Sequence, residues 1–180
     1  MLDSNTEHQP GSHQYKWLVN KLKTESCDFL FIAFHHPPHT KSHAHSPRSS
    51  EKILAELFES YKEKGMAKVN CVFSGHCHNY ERYRHNGINY VVSGNAGAPP
   101  RLVDRDPDDF YTDPGYTVDY CRITVWEDKA YFEMMRLDEY TGEWSAGDSF
   151  TIYKNEDIED ITGLNRMPSD SKDLLCYSTP

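Results

Sequence analysis

Eight of the ten histidines in this 180-residue chain fall between positions 35 and 85, and three of them are placed alike. His35 directly follows the apolar run at 29–34 (FLFIAF), and His76 and His78 directly follow the apolar run at 70–74 (NCVFS). Neutral imidazole is a ligand for zinc, iron and manganese-type ions. Histidines at i and i+2 across a turn can face one cavity. If the two apolar runs are neighbouring parallel strands, all three imidazoles gather beyond their carboxyl ends, where open α/β sheets bind ligands. A single histidine is more often an ordinary polar loop residue, but three at two adjacent strand ends point to a metal centre. Cys77 lies between two of them, yet nothing else marks it as a reactive thiol, so a nucleophilic role ranks low.

The charge pattern agrees with an anion or metal site in the middle of the chain. Net charge is −9, yet residues 35–85 carry eight basic and five acidic side chains. The overall balance argues against a nucleic-acid coat or a binder of anionic membranes. No run of eighteen apolar residues occurs, so no membrane span is expected, and no basic segment followed by an apolar stretch opens the chain as a secretory leader would. The five cysteines are scattered, odd in number and without a CxxC pair, which fits neither a disulfide framework nor a zinc ribbon.

The elements that must position the histidines can be read from periodicity. Residues 12–22 suggest a short helix with Ser12 as N-cap and Trp17, Leu18 and Leu22 as its apolar stripe. The run at 29–34 reads as a strand buried on both faces, stopped by His35-His36-Pro37-Pro38. Residues 39–48 have loop composition. A helix over 50–64, capped by Ser49 or Ser50 and ended by Gly65, places Ile53, Leu54, Leu57, Phe58 and Tyr61 on one face. Strands follow at 70–74 and 88–92, with a polar loop at 76–85 between them. After an aspartate- and proline-rich loop at 99–115, strands are expected at 116–126, 130–137 and 149–153. Residues 154–180 read as an acidic, polar tail, and residues 1–5 as the end of an apolar strand that begins upstream.

These segments resemble a known family. FIAFHHPPHT, then NCVFSGHCHNYERY, then GINYVVSGNAGAPP are similar in order and content to the C-terminal half of a calcineurin-like metallophosphoesterase of the purple acid phosphatase-like branch. The opening LDSN and GSHQYKWLVNKL fit the segment that precedes the H-x-P block, so the resemblance spans roughly 1–153. It implies an α/β fold, part of a four-layer α/β/β/α sandwich whose second sheet holds the antiparallel strands after residue 116. It also implies metal-dependent hydrolysis of a phosphoester with two metal ions (iron, zinc, manganese or similar). His35 and His76 would bind one ion and His78 the other. His36 and His39 would lie near substrate phosphate, and Arg82 would be an outer anion contact or a surface ion pair. His43, His45 and His85 match no ligand position.

The family's aspartate blocks and its GNH block are not found here: Asp3 sits in LDSN, and Asn95 sits in SGNAG after the GHxH block. Three neutral imidazoles supply no negative charge, whereas two cations about 3.5–4 Å apart repel strongly unless anionic ligands hold them. Three expectations follow: a chain that is the C-terminal part of a hydrolase, an inactive metal-binding or interaction module, or a split enzyme completed by a separate N-terminal half or an oligomer. A three-histidine zinc site of the hydratase type fits the motif context less well.

Overall fold

The computed structural model describes residues 1–154 except 44 and 114. The first helix, α1, spans His13–Thr24. Ser12 caps it as expected, its Oγ accepting from Tyr15 N–H at 3.2 Å. Leu18 and Leu22 are buried, one turn apart on a single face. Trp17 lies about 100° around the helix from Leu18, which leaves it 49% exposed rather than in the stripe.

Strands β1 (Leu30–Ala33), β2 (Val69–Ser74), β3 (Tyr80–His85) and β4 (Ile88–Ser93) form one sheet in the order β1-β2-β4-β3. β1, β2 and β4 run parallel, with Ala33 opposite Phe73 and Ser74 opposite Val92. The carboxyl ends that precede His35 and His76 are therefore side by side, as the histidine argument requires. β1 is an edge strand, and only Ile32 of it is fully buried, which corrects the expectation of burial on both faces. Its outer edge receives one bond from the start of the chain, Leu2 N–H to the Ala33 carbonyl at 2.8 Å.

The loop expected over 76–85 is wrong in its second half. Residues 80–85 pair antiparallel with β4, joined by Asn86 and Gly87 with φ of 47° and 74°. Two left-handed residues form the tight hairpin turn that Asn-Gly favours, and this signal outweighs the polar composition of YERYRH. The burial of Glu81 in that strand is explained by its donors. Thr40 Oγ1 and Lys41 N–H each approach its carboxylate to 2.7 Å, and the Tyr83 hydroxyl donates as well.

Helix α2 spans Ser49–Glu63. It begins a residue before the expected start, so both serines fall in its first turn, and Arg48 is the N-cap without a side-chain capping bond. Leu54, Ala55 and Phe58 are buried, and Gly65 at φ +64° ends the helix as expected. Both helices pack on one face of the sheet, their leucines meeting Ile32, Val69, Val72, Ile88 and Tyr90.

The other face packs on an antiparallel sheet of β5 (Asp119–Val125), β6 (Lys129–Leu137) and β7 (Trp144–Tyr153), with Cys71, Val91, Phe132, Met134 and Ile152 between the layers. β7 starts five residues before the expected 149. A bulge at Gly147 allows this, because the register passes from Asp148 to Ala146 opposite Met134 and Met135. A Cβ at Gly147 would stand 2.8 Å from Met134 Cε. The architecture is helices, sheet, sheet, in line with the α/β expectation, and among the described residues no helix covers the outer face of the second sheet. No described helix is long and apolar enough to cross a membrane. Lys154 pairs with Asp28 at 2.8 Å. The rest of the expected acidic tail lies outside the described residues.

Candidate metal centre

His35 leaves the end of β1, and His76 the end of β2. Among the described residues, His76 is one of two non-glycine residues with positive φ, at +62°. Left-handed backbone costs a residue with a Cβ roughly 1–2 kcal/mol, and it turns His76 toward β1. As a result His35 Nε2 and His76 Nδ1 are 3.1 Å apart. Two nitrogens bound ~2.0–2.1 Å from one tetrahedral zinc are separated by about 3.3 Å, so this spacing suits a shared ion.

His36 completes the group. Its ring centroid is 4.5 Å from that of His76 and 4.8 Å from that of His35. One ligand atom from each of the three lies within 4.8 Å of the others. Ser4 fixes the His36 ring, with its Oγ 2.9 Å from His36 Nδ1 and accepting from His36 N–H at 3.1 Å. His45 stands 4.5 Å from His76, and its buried Nε2 has no hydrogen-bond partner among the described residues. The sequence offered no spacing that would place His45 here, because residues 39–48 have no periodicity.

The expected ligands divide. His35 and His76 are in the group, while His78 is outside it. His78 Nδ1 is 2.9 Å from the Pro99 carbonyl, which holds its proton there and leaves Nε2 as an acceptor, the orientation typical of a ligating imidazole. His39, expected near substrate phosphate, lies beside His85 and Tyr90 at centroid distances of 4.2 and 4.6 Å, with Nε2 3.8 Å from Glu59. Arg82 is built into the core, 2.7 Å from Asp148 and stacked between Phe110 and Phe150. His43 pairs with Asp104 at 2.9 Å on the surface.

Electrostatics favour neutral, ligand-ready rings. Burial and the Arg48 charge hold His36 down to about 4. Burial, then the neighbouring imidazoles, lowers His76, and burial also lowers His45. Burial and the neighbouring His85 hold His39 at about 4 as well. A histidine depressed on folding takes up its proton more readily in the unfolded chain, so stability falls as pH drops from about 6.5 toward 4. His36 and His39 together are expected to remove several kcal/mol over that window. Urea unfolding with chelator at pH 7.5 and 4.5 reads this loss, and His39→Phe is expected to flatten the slope. An equal slope in that variant would contradict the assignment.

His35 also forms part of the wall of a cleft of about 810 Å³ between the sheets, with Asp3, Phe34, Phe73, Gly75 and Ser93. The loop bearing His76 and His78 is seated on Gly94, where a Cβ would fall 2.1 Å from the Cys77 carbonyl oxygen. The donor set is three imidazole nitrogens and, among the described residues, no carboxylate joins it. That set fits a single zinc-, iron- or manganese-type ion.

No family model matches the chain. Among curated proteins it is similar to "Probable purple acid phosphatase 20" of Arabidopsis thaliana, 36% identical over 86 residues, which is 46% of this chain and 20% of that protein. It is also similar to "Purple acid phosphatase 18" of Arabidopsis thaliana, 35% identical over 85 residues, covering 46% of this chain and 18% of that protein. The chain thus spans about a fifth of the length of these relatives. Among solved structures it is similar to GAP50, described as the anchor in the inner membrane complex of Plasmodium, with a TM-score of 0.54 and 16% identity. That likeness covers 84% of this chain and 47% of that one, and at this identity it concerns the fold. The resemblance to purple acid phosphatases read from the motifs therefore holds over the matched part of the chain, and the two-sheet α/β architecture accords with it.

Proposed function

We propose that this chain supplies the histidine side of a metal centre for phosphoester hydrolysis, and that its own residues hold one metal ion through His35, His36 and His76. The observation that carries the reading is the 3.1 Å approach of His35 Nε2 to His76 Nδ1 at adjacent strand ends. A bound ion would supply Lewis-acid polarisation of a phosphoryl oxygen. The residues present do the rest of what can be derived. Ser4 orients His36, burial disfavours protonation of His36 and His76, and the Pro99 carbonyl leaves His78 Nε2 as an acceptor facing away from its Nδ1 bond.

The second ion expected from the resemblance needs negative ligands. On our reading these come from outside the histidine group, either from Asp3 on the cleft wall or from a further aspartate-bearing polypeptide. The partners are then a phosphorylated substrate and such a polypeptide or a second copy, with neither nucleic acid nor membrane engaged. The absence of a carboxylate from the described group favours one alternative, a metal-binding interaction module without turnover. An assay of p-nitrophenyl phosphate with the zinc-, manganese- or iron-loaded chain separates the two. Turnover that His76→Ala removes supports the hydrolase, whereas tight metal binding with no turnover selects the module.

A further inference from the structure

We propose that Arg48 is an oxyanion-binding residue of this centre, taking a phosphate-type dianion beside the histidine group; the inference rests on the metal-centre reading above. Sequence spacing did not single out Arg48, and the resemblance assigns it no role. Three contacts hold its guanidinium. Nε donates to Glu51 Oε1 at 2.8 Å, and one terminal nitrogen donates to the same oxygen at 2.5 Å and to the Ser4 carbonyl at 2.9 Å. Glu51 is fully buried, so the carboxylate that anchors the fork is itself fixed. Ser4 in turn bonds His36 through its hydroxyl. The guanidinium is thus one residue away from the imidazole group, and its charge acts on His36, His45 and His76.

The second terminal nitrogen, Nη1, makes no hydrogen bond among the described residues, and the side chain is 48% exposed. The arrangement leaves one terminal nitrogen of the held fork free to donate. An arginine fork matches phosphate oxygens. Glu51 offsets part of the Arg48 charge, and what remains opposes a nearby dication unless an anion lies between them. An ordinary capping salt bridge needs Glu51 alone and does not explain why the guanidinium reaches to Ser4 at the His36 corner.

The test is calorimetric titration of the whole chain with zinc, then with inorganic phosphate, and separately with phenyl phosphate. Arg48→Ala is expected to weaken phosphate binding to the zinc-loaded chain by about tenfold or more, while zinc affinity without phosphate is unchanged or tighter. Arg48→Lys keeps the charge, loses the fork and is expected to fall between the two. It also serves if Arg48→Ala does not fold. Equal Arg48 dependence for phenyl phosphate identifies an ester as an accepted ligand, whereas dependence for inorganic phosphate alone identifies the free ion. Unchanged phosphate affinity in a folded, zinc-binding variant overturns the proposal. If the unaltered chain fails to bind zinc, the metal-centre reading fails first. Phosphate titrated onto the metal-free chain then decides for Arg48: binding lost in Arg48→Ala supports it, and no binding overturns it.

Discussion

Replacing His76 with glycine is expected to abolish metal binding and, with chelator present, to raise stability. The two effects have separate origins in one residue. His76 supplies Nδ1, 3.1 Å from His35 Nε2, so its loss removes one of three ligands. Metal affinity should fall by more than the roughly 10–100-fold that the loss of an outer-shell partner costs. Its backbone sits at φ +62°, where a Cβ is strained and glycine is not. Release of that strain contributes about 1 kcal/mol, partly offset by the lost packing of a half-buried ring. His76→Ala loses the ligand but keeps the strain, so its stability should stay at or below that of the unaltered chain. Urea unfolding in EDTA and zinc titration of both variants check this. Equal stability of the glycine and alanine forms would mean that the left-handed backbone stores no strain. Retained zinc affinity in both would remove His76 from the centre.

Gly94→Ala is expected to be the most damaging small substitution in the loops. Its Cβ would lie 2.1 Å from the Cys77 carbonyl oxygen, 2.9 Å from Cys77 C and 3.2 Å from Gly75 C, all backbone atoms. Gly94 N–H also donates to the Asn79 carbonyl at 3.2 Å, so the two segments are tied as well as touching. Backbone has no rotamer with which to yield, and one segment must move by more than 1 Å. Overpacking of this kind costs about 3 kcal/mol. The displaced segment carries both His76 and His78, so metal affinity should fall in the same variant. Gly75→Ala is the matched comparison: its Cβ would meet His35 Nδ1 at 3.8 Å, an ordinary contact, and less than about 1 kcal/mol is expected. Similar unfolding midpoints for the two variants would contradict the close seating of the loop on Gly94.

How far the sequence reached follows from which interactions are local. The two helices, the parallel pair β1 and β2, and the hairpin β5–β6 are marked by periodicity and turn residues, and the strand ends place His35 and His76 together. Asn86-Gly87 marked β3 as well, but the charged residues of YERYRH obscured it, because Glu81 is buried only with donors from Thr40 and Lys41, forty residues away. His45 and Arg48 were not legible for the same reason. Their loop has no periodicity and is folded by distant contacts: Arg48 to the Ser4 carbonyl, Lys41 to Asp106 and Asp109, and Ser42 bridged to Val103. Of the two histidines expected near substrate phosphate, His36 is held at the centre by Ser4, and His39 lies away from it against Tyr90 and Glu59. Neither partner is near in sequence, so spacing gave no means to separate them.

The central claim is that His35, His36 and His76 make one metal site on this chain. Metal content of the purified chain, loaded with zinc and passed through a desalting column, tests it most directly. The account predicts close to one ion per chain, lost in His35→Ala and in His76→Ala. No bound ion, or one that persists in both variants, would contradict it.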